Sequence, residues 1–447
     1  MSGDTLEDRI QQAGDPVTLL RGSRGGAYAF PIPAEYTNWR DEQRAWRTTA
    51  VLFDQSFHMT DIYFEGPDVP KLFSELGVNT FTNFGRNRAK QFVACNHDGH
   101  VIGDGILFGL EANRYNLVGR PSAPNWVAFN AEAGGYDVTV TRDVRSLDNN
   151  QRRLTFRYQI QGPAAPAIVE RAHGGPLDPV KPFHLLEFDI AGCPVRGLGH
   201  TMSGFPGLEV HGAAAHGPVV KDALLAAGAD LGLLEGGARA YATTPTESGW
   251  IASPTPAIYS GDEMKPYRQW LPAAGWEATA SLGGSFVSER IEDYYQTPWD
   301  LGYGKHIRFD HDFVGRAALE ALAERPHRRK VFLRWNRDDV LAVIGGSLFG
   351  QGGGAKYLEF PSSTYATLPF DSVLAGDRLV GVSTGSGYSV NVGDWSSLAM
   401  LDEAEARDGA EVTVVWGEPS GGPRRPVVED HAQTTIRATV SGTSLVD

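Results

Sequence analysis

The chain has 447 residues, of which 41% are hydrophobic and 21% charged, and its formal net charge at pH 7 is −14. This length predicts two or three domains, and the composition is typical of a soluble globular protein. The negative charge argues against a general nucleic-acid-binding protein, which needs a basic face. We expect no membrane span and no signal peptide, because apolar runs are short and the N-terminus is acidic.

Cys95 and Cys193 are the only cysteines of the chain. Two cysteines without a CxxC spacing favour neither a disulfide framework nor a cysteine-based zinc site, and they fit a reducing cytoplasm. His97 and His100 lie in a predicted turn without an acidic or cysteine partner at a fitting spacing. We therefore predict a cytoplasmic protein without a metal site.

Strands and helices interleave through the first two thirds of the chain. Their connections read as hairpins, which predicts an α+β fold rather than a doubly wound parallel sheet. The predicted strands lie at 61–65, 91–94, 106–108, 115–118, 153–161, 185–190 and 193–198, and the predicted helices end near Leu76, Gly134, Gly174 and Gly228.

The last third of the chain has a different pattern. Residues 297–323 predict an aromatic turn, a short strand around 309–313, a tight glycine and a helix to Ala323. The basic run at 325–330 indicates a domain boundary. Beyond it, strand-like segments with few helices favour a small β-barrel or sandwich.

Several motifs occur in an order that is typical of one enzyme family. They are FDQSFHM at 53–59, GHVIGDG at 99–105, QGP at 161–163, SGFPGLEV at 203–210, GGAR at 236–239 and TPWDLGY at 297–303. Together they resemble the aminomethyltransferase family, which includes the T-protein of glycine cleavage. The resemblance implies a three-lobed fold with a central folate channel. Residues 1–325 would form a two-lobed folate- and substrate-binding region, with the second lobe at about 50–150, and 331–447 a C-terminal β-barrel.

A second set of motifs narrows this resemblance. It comprises Tyr28, NWR at 38–40, KQ at 90–91, VGR at 118–120, ESGW at 247–250, GGSF at 283–286 and EDYY at 292–295. These motifs are similar to those of the tetrahydrofolate-dependent aromatic O-demethylases of lignin degradation, which act on vanillate, syringate and 3-O-methylgallate. The resemblance implies that a methoxylated aromatic acid gives its methyl group to N5 of tetrahydrofolate. Both partners would be small molecules.

The resemblance points to four residues for tetrahydrofolate: Gln91, Glu209, Arg239 and Trp250. A carboxylate at Glu209 accepts two N–H groups from the pterin, and the amide of Gln91 both donates and accepts. Trp250 would pack against the folate rings, and Arg239 would pair with a buried carboxylate. From the residues alone, a solvated turn for Glu209, a polar strand start for Gln91, a core Trp250 and a surface ion pair for Arg239 stay open.

A further set of residues would hold and activate the aromatic acid. Arg120 ends an apolar strand and would bind the carboxylate through two hydrogen bonds. Gln55, His58 and Tyr28 would contact the ring substituents. An aryl oxide is a poor leaving group, since the pKa of its conjugate acid is about 10, so a proton donor is needed. By resemblance this donor is Tyr241, with His58 as a second catalytic residue.

Three other functions stay open. The motif at 103–105 has one acidic residue where the glycine-cleavage enzyme has two, which counts against a glycine-cleavage aminomethyltransferase. A folate-dependent sulfonium demethylase is the second alternative. The third is a non-catalytic folate-binding factor of iron–sulfur assembly, but no cysteine follows Cys193 as its motif would require. The preferred aromatic acid and the oligomeric state are also open.

Overall fold

The computed structural model describes residues 4–25, 31–145, 152–200, 204–252, 254–350, 353–421 and 428–445. Within these ranges, the helices are α1 (Leu6–Ala13), α2 (Pro16–Gly22), α3 (Trp39–Thr48), α4 (Val69–Leu76), α5 (Ser122–Ala133), α6 (Ala165–His173), α7 (Gly217–Gly228), α8 (Ala238–Tyr241), α9 (Thr244–Ser248), α10 (Lys265–Trp270), α11 (Trp276–Thr279), α12 (Arg316–Ala323) and α13 (Arg337–Phe349). In the same ranges, no helix is both long and apolar enough to span a bilayer.

The strands of the described residues fall into three main groups along the chain. They are β1 (Ala50–Asp54), β2 (Thr60–Glu65), β3 (Arg88–Cys95), β4 (Val101–Glu111), β5 (Arg114–Gly119), β6 (Thr139–Asp143), β7 (Thr155–Gln161), β8 (Leu185–Ile190), β9 (Cys193–Gly199), β10 (Gly207–Ala213), β11 (Leu233–Gly236), β12 (Leu282–Gly283), β13 (Arg329–Trp335), β14 (Leu368–Pro369), β15 (Asp371–Ala375), β16 (Arg378–Ser389), β17 (Asp394–Leu401), β18 (Glu411–Trp416) and β19 (Thr434–Ser441). The predicted strands of the first 200 residues are confirmed within one or two residues at most ends.

Local sequence explains where several helices begin and end. The side chain of Asp15 accepts the backbone N–H of Thr18 at 2.8 Å, and Pro16 takes the first position of α2, where no N–H is needed. Helix α6 ends at Gly174, whose φ of 95° is a conformation that favours glycine. The predicted helix ends near Gly134 and Gly174 are therefore confirmed.

A six-stranded sheet in the order β11–β1–β7–β10–β9–β8 forms the first layer. Because strand residues alternate between faces, Leu52, Ile160 and Val210 pack under the helices α6 and α7. The neighbouring residues point to the opposite face, which is unusually polar for a buried surface. On that face, these buried residues are Arg157, Gln159, Glu209 and His211.

A five-stranded antiparallel sheet in the order β3–β4–β5–β2–β6 lies against this polar face. Its outer face packs apolar residues such as Ile62 and Leu117 under the helices α4 and α5. Its inner face carries Asp61 and Asp104, both buried. The two sheets therefore meet through charged side chains, and the functional residues gather between them.

The C-terminal strands form a closed barrel in the order β13–β17–β16–β15–β18–β19. Trp335 is central to its core, with ring centroids 6.2 Å from Trp395 and 5.7 Å from Trp416. The predicted α+β fold with a C-terminal β-barrel is thus confirmed. The domain boundaries stay a prediction.

The short strand predicted around 309–313 is wrong. The described segment from Ile307 to Gly315 contains no strand, and a short 3-10 helix over Gly304–His306 precedes it. The N–H group of Arg308 donates at 2.8 Å to the carbonyl of Val78, just after α4. The N–H group of Val314 donates at 2.9 Å to the carbonyl of Glu75, in the last turn of α4. Because these carbonyls belong to no strand, the extended sequence pairs with no sheet.

Candidate active site

The side chain of Tyr241 contacts two other predicted site residues, His58 and Gln55. Tyr241 is the last residue of α8, and its hydroxyl lies 2.9 Å from Nε2 of His58. The Nε2 of Gln55 donates to the same hydroxyl at 3.2 Å. Gln55 and His58 reach it from the turn after β1, where the side chain of Asp54 accepts the N–H of Ser56 at 3.0 Å. The structure therefore brings the predicted phenol, imidazole and amide together.

Burial sets the protonation states of this group. It lowers the pKa of His58 to about 3, and the positive charges of Arg120, Arg153 and Arg157 add to the effect. Burial also raises the pKa of Tyr241, and the negative charge of Glu209 raises it further. At neutral pH the imidazole is uncharged and the phenol keeps its proton. Tyr241 is thus a neutral hydrogen-bond donor.

A buried ion-pair network joins the two sheets close to Tyr241 and His58. Arg157, 1% exposed, donates through Nη1 to Glu209 and through Nη2 to Asp61 at 2.8 Å. Burial disfavours its charge, but Glu209 and Asp61 together raise the pKa of Arg157. Arg153 donates to the other oxygen of Asp61 at 2.6 Å. Every charge in the network has an opposite partner, as burial requires.

A second cluster surrounds Asp104, which the sequence analysis did not select. Its Oδ2 accepts hydrogen bonds from Nε2 of Gln91 at 2.6 Å, the hydroxyl of Tyr303 at 2.8 Å and Nε1 of Trp250 at 3.1 Å. Burial raises the pKa of Asp104, while Trp250 and Tyr303 oppose this shift by bonding to the carboxylate. Two predicted folate contacts, Gln91 and Trp250, are therefore brought together by an acidic residue.

Arg120 lies between the two clusters. It follows β5 directly, at the rim of the sheet as predicted, and its charge acts on both His58 and Asp104. Burial, with the charge of Arg145, lowers the pKa of Arg120 to about 10. Among the residues that the structure describes, no hydrogen bond or ion pair of the Arg120 side chain is found. A half-buried guanidinium of this kind is suited to a ligand carboxylate.

The remaining predicted residues have different positions. Arg239 donates to Glu35 at 2.7 Å and is half exposed, so it forms the surface ion pair and contacts neither cluster. Glu209 lies within β10 and is 4% exposed, which makes the solvated-turn interpretation wrong. Tyr28 lies outside the described residues.

The sequence analysis missed Asp61, Asp104, Arg157 and Tyr303. For Arg157 the available signal was a charge in the middle of a predicted strand, which is unusual in a buried strand unless the charge is paired. Asp104 and Tyr303 stood inside recognised motifs, but nothing in the chain order indicates that they touch. In the stretches covered by the structure, no group of three His, Cys, Asp or Glu side chains is arranged to hold a metal ion.

Comparisons with known proteins agree with this architecture. A syringate O-demethylase of Sphingobium sp. is 46% identical over 439 residues, 98% of this chain and 95% of that protein. A sesamin methylene transferase of Sinomonas sp. is 29% identical over 91% of this chain and 90% of that protein.

A solved structure and a family model agree with these two relatives. The crystal structure of glycine cleavage system aminomethyltransferase T from Bartonella henselae covers 95% of both chains with a TM-score of 0.63 at 17% identity, a likeness of fold. The profile of the GCVT N-terminal domain matches residues 20–255. The predicted resemblance is thus confirmed: the chain belongs to the GCVT family of aminomethyltransferase-like proteins.

Proposed function

We propose that this chain is an enzyme that demethylates a methoxylated aromatic acid of the syringate type and passes the methyl group to N5 of tetrahydrofolate. The observation that carries the proposal is a protonated, half-buried Tyr241 in contact with His58 and Gln55, near the half-buried guanidinium of Arg120. The similarity to a syringate O-demethylase supports the reaction class. Vanillate and 3-O-methylgallate are the other candidate substrates, and the cytoplasm is the proposed location.

The residues between the sheets fit a pterin. Gln159 lies directly opposite Glu209 on the neighbouring strand. In the described part of the chain its buried Oε1 has no hydrogen-bond partner. Two acceptors side by side suit the N–H groups along the edge of an amino-pyrimidine. Glu209 and Gln159 would hold that edge. Gln91 and Trp250, which both donate to Asp104, would contact the folate themselves. Tetrahydrofolate supplies the nitrogen that accepts the methyl group.

Arg120 and Tyr241 have separate roles in this mechanism. Arg120 would bind the carboxylate of the aromatic acid and so turn its methoxy group toward Tyr241. As the bond between the methyl carbon and the aryl oxygen breaks, the phenol of Tyr241 would donate its proton to that oxygen. When N5 accepts the methyl group it loses its own proton. That proton replaces the one that Tyr241 gave to the phenol product, so Tyr241 is restored. Neutral His58 would orient the Tyr241 hydroxyl without adding charge.

The test is a direct assay of methyl transfer. The purified protein is incubated with tetrahydrofolate and, separately, syringate, vanillate, 3-O-methylgallate or dimethylsulfoniopropionate, and the products are identified by mass spectrometry. We expect 5-methyltetrahydrofolate and the demethylated phenol in equal amounts from at least one aromatic acid. Transfer from the sulfonium compound alone, or no transfer despite tetrahydrofolate binding, would contradict the proposal.

A further inference from the structure

One side of α13 is an apolar surface that the rest of the described chain leaves open. It carries the three most exposed large apolar side chains of the described residues: Leu341 is 65% exposed, Leu348 67% and Phe349 83%. On the opposite side of the helix, Val340 and Val343 pack into the core of the barrel. None of these residues takes part in the chemistry proposed above. A group of exposed apolar side chains on one helix face marks an interaction surface.

The order of residues along this surface is symmetric about Gly345. Residues three and four positions apart share a face of a helix. Leu341 lies four positions before Gly345, and Phe349 lies four positions after it. The positions three before and three after belong to Ala342, which is exposed, and Leu348. The surface therefore has a large side chain at each end and a gap in the middle.

Packing within the chain gives no reason for a glycine at position 345. Among the described residues, no atom lies within 4 Å of a β-carbon placed on Gly345. A glycine in a helix interior is less favourable than an alanine, which would fit here without a clash. The missing side chain therefore leaves room for a second backbone from outside the chain, since the distance between packed helices depends on the side chains at their contact.

We propose that two copies of this chain associate through α13, with the two helices antiparallel and crossing at Gly345. In this arrangement Phe349 packs against Leu341 of the second copy, and Leu348 packs over its Ala342. The two glycines face each other and let the helices approach closely. A twofold interface needs a surface that is complementary to itself, and the order of residues in α13 meets this condition.

Charge favours the antiparallel arrangement. Asp338 is exposed and lies seven positions before Gly345, at one end of the surface. Antiparallel helices keep the two copies of Asp338 roughly 21 Å apart along the axis, at about 1.5 Å per residue, which is beyond the screening length of about 10 Å. Parallel helices would place them side by side. The formal net charge of −14 disfavours an anionic lipid surface as the occupant.

The size of the surface predicts a reversible dimer. Burial of the three large side chains on both copies removes roughly 800 Å² of apolar area from water, less than the about 1,200 Å² at which standard interfaces begin. We therefore expect a Kd on the order of 10 µM. Sedimentation velocity of the full chain between about 1 and 100 µM measures it, and the wild type should shift from monomer to dimer over this range.

Substitutions on the surface should weaken the dimer and leave the monomer folded. Phe349→Ser and Leu348→Ser should each raise the Kd at least roughly tenfold, because both side chains are exposed in one copy and buried between two. The control is Val219→Ser, which removes an apolar side chain of α7 that is 48% exposed. This variant should associate as the wild type does.

Gly345→Ala should have two effects of opposite sign. The methyl group should raise the urea midpoint of the dilute, monomeric protein, because alanine favours the helix. It also fills the gap between the helices, so the Kd of the dimer should rise roughly tenfold. Gly346→Ala is the matched control. A β-carbon placed on Gly346 lies 3.9 Å from Ala355 of the same chain, so this variant should keep the wild-type Kd.

A wild type that stays monomeric at about 100 µM would overturn the inference, including the case in which it binds phosphatidylcholine vesicles instead. Association that survives Phe349→Ser would also overturn it, because the contact would then lie on another surface. The same holds for a Gly345→Ala variant that associates as tightly as the wild type.

Discussion

The hydroxyl of Tyr241 lies 2.9 Å from Nε2 of His58, although 183 positions separate the two residues in the chain. The contact depends on the parallel pairing of β1 with β11, because His58 follows the first strand and Tyr241 the second. Their rings also meet edge to face, with centroids 4.9 Å apart. His58 therefore contacts both the hydroxyl and the ring of Tyr241.

Replacing Tyr241 with Phe should remove the proton donor and leave the ring in place. We expect kcat to fall by about 10²- to 10⁴-fold, the usual contribution of a general acid. The KM for tetrahydrofolate should change little, because Tyr241 belongs to the aromatic-acid side of the site. Steady-state kinetics with both substrates varied measures the two effects. Tyr136→Phe, which loses only a hydrogen bond to Glu75, is the control. A kcat within twofold of the wild type would exclude Tyr241 as the acid.

Substitution of Arg120 by Ala should weaken binding of the aromatic acid. A charge-assisted contact of about 1.5–3 kcal/mol corresponds to a rise in KM of roughly 10- to 150-fold. The matched control is Arg114→Ala at the start of the same strand, β5, which removes an exposed arginine with Glu65 3.4 Å away. If both variants have the same KM for the aromatic acid, the carboxylate is bound elsewhere.

The stability of the protein should fall in acid in a way that depends on His58. Its pKa is about 3 in the folded state against 6.5 for an ordinary histidine. Between these values the unfolded chain binds a proton that the folded chain does not, so the free energy of unfolding decreases as the pH falls. From pH 6.5 to 5 the loss is about 1–2 kcal/mol for this group.

Urea unfolding at pH 7 and pH 5 measures this effect. The difference between the two pH values should be smaller in His58→Gln than in the wild type. His97→Gln, in which an exposed histidine of a turn is replaced, should keep the wild-type difference. An unchanged difference in His58→Gln would mean that the imidazole is not held neutral by burial.

Removal of the Asp104 carboxylate should destabilise the fold. Asp104→Ala leaves three donors, from Gln91, Trp250 and Tyr303, without their acceptor. Each unsatisfied buried group costs about 1–3 kcal/mol, so the free energy of unfolding should fall by roughly 3 kcal/mol or more. Asp104→Asn keeps one side-chain oxygen and should lose less.

Chemical denaturation measures the free energy of unfolding of both variants and tests whether Asp104→Ala loses more of it than Asp104→Asn. Asp98→Ala, in which the replaced carboxylate is in an exposed turn, is the control and should be within about 0.5 kcal/mol of the wild type. A loss below about 1 kcal/mol in Asp104→Ala would show that the three donors find other partners.

Local structure and family membership could both be predicted from the sequence. Alternating apolar residues and glycine stops predicted most strands and the end of α6 at Gly174, because these features depend on residues close together in the chain. Motif order predicted the GCVT family. It also selected Gln55, His58 and Tyr241, which then proved to be in contact.

Which charges face each other depends on how the sheets pack and could not be predicted. Alternation in β7 puts Arg157 on one face, but it does not say that this face meets Asp61 of another sheet. Likewise, Asp104 gathers donors from 13, 146 and 199 positions away in the chain. The segment 309–313 has the sequence of a strand and lies where no strand edge is available to it. Such contacts depend on how whole sheets pack, and local periodicity carries no information about that packing.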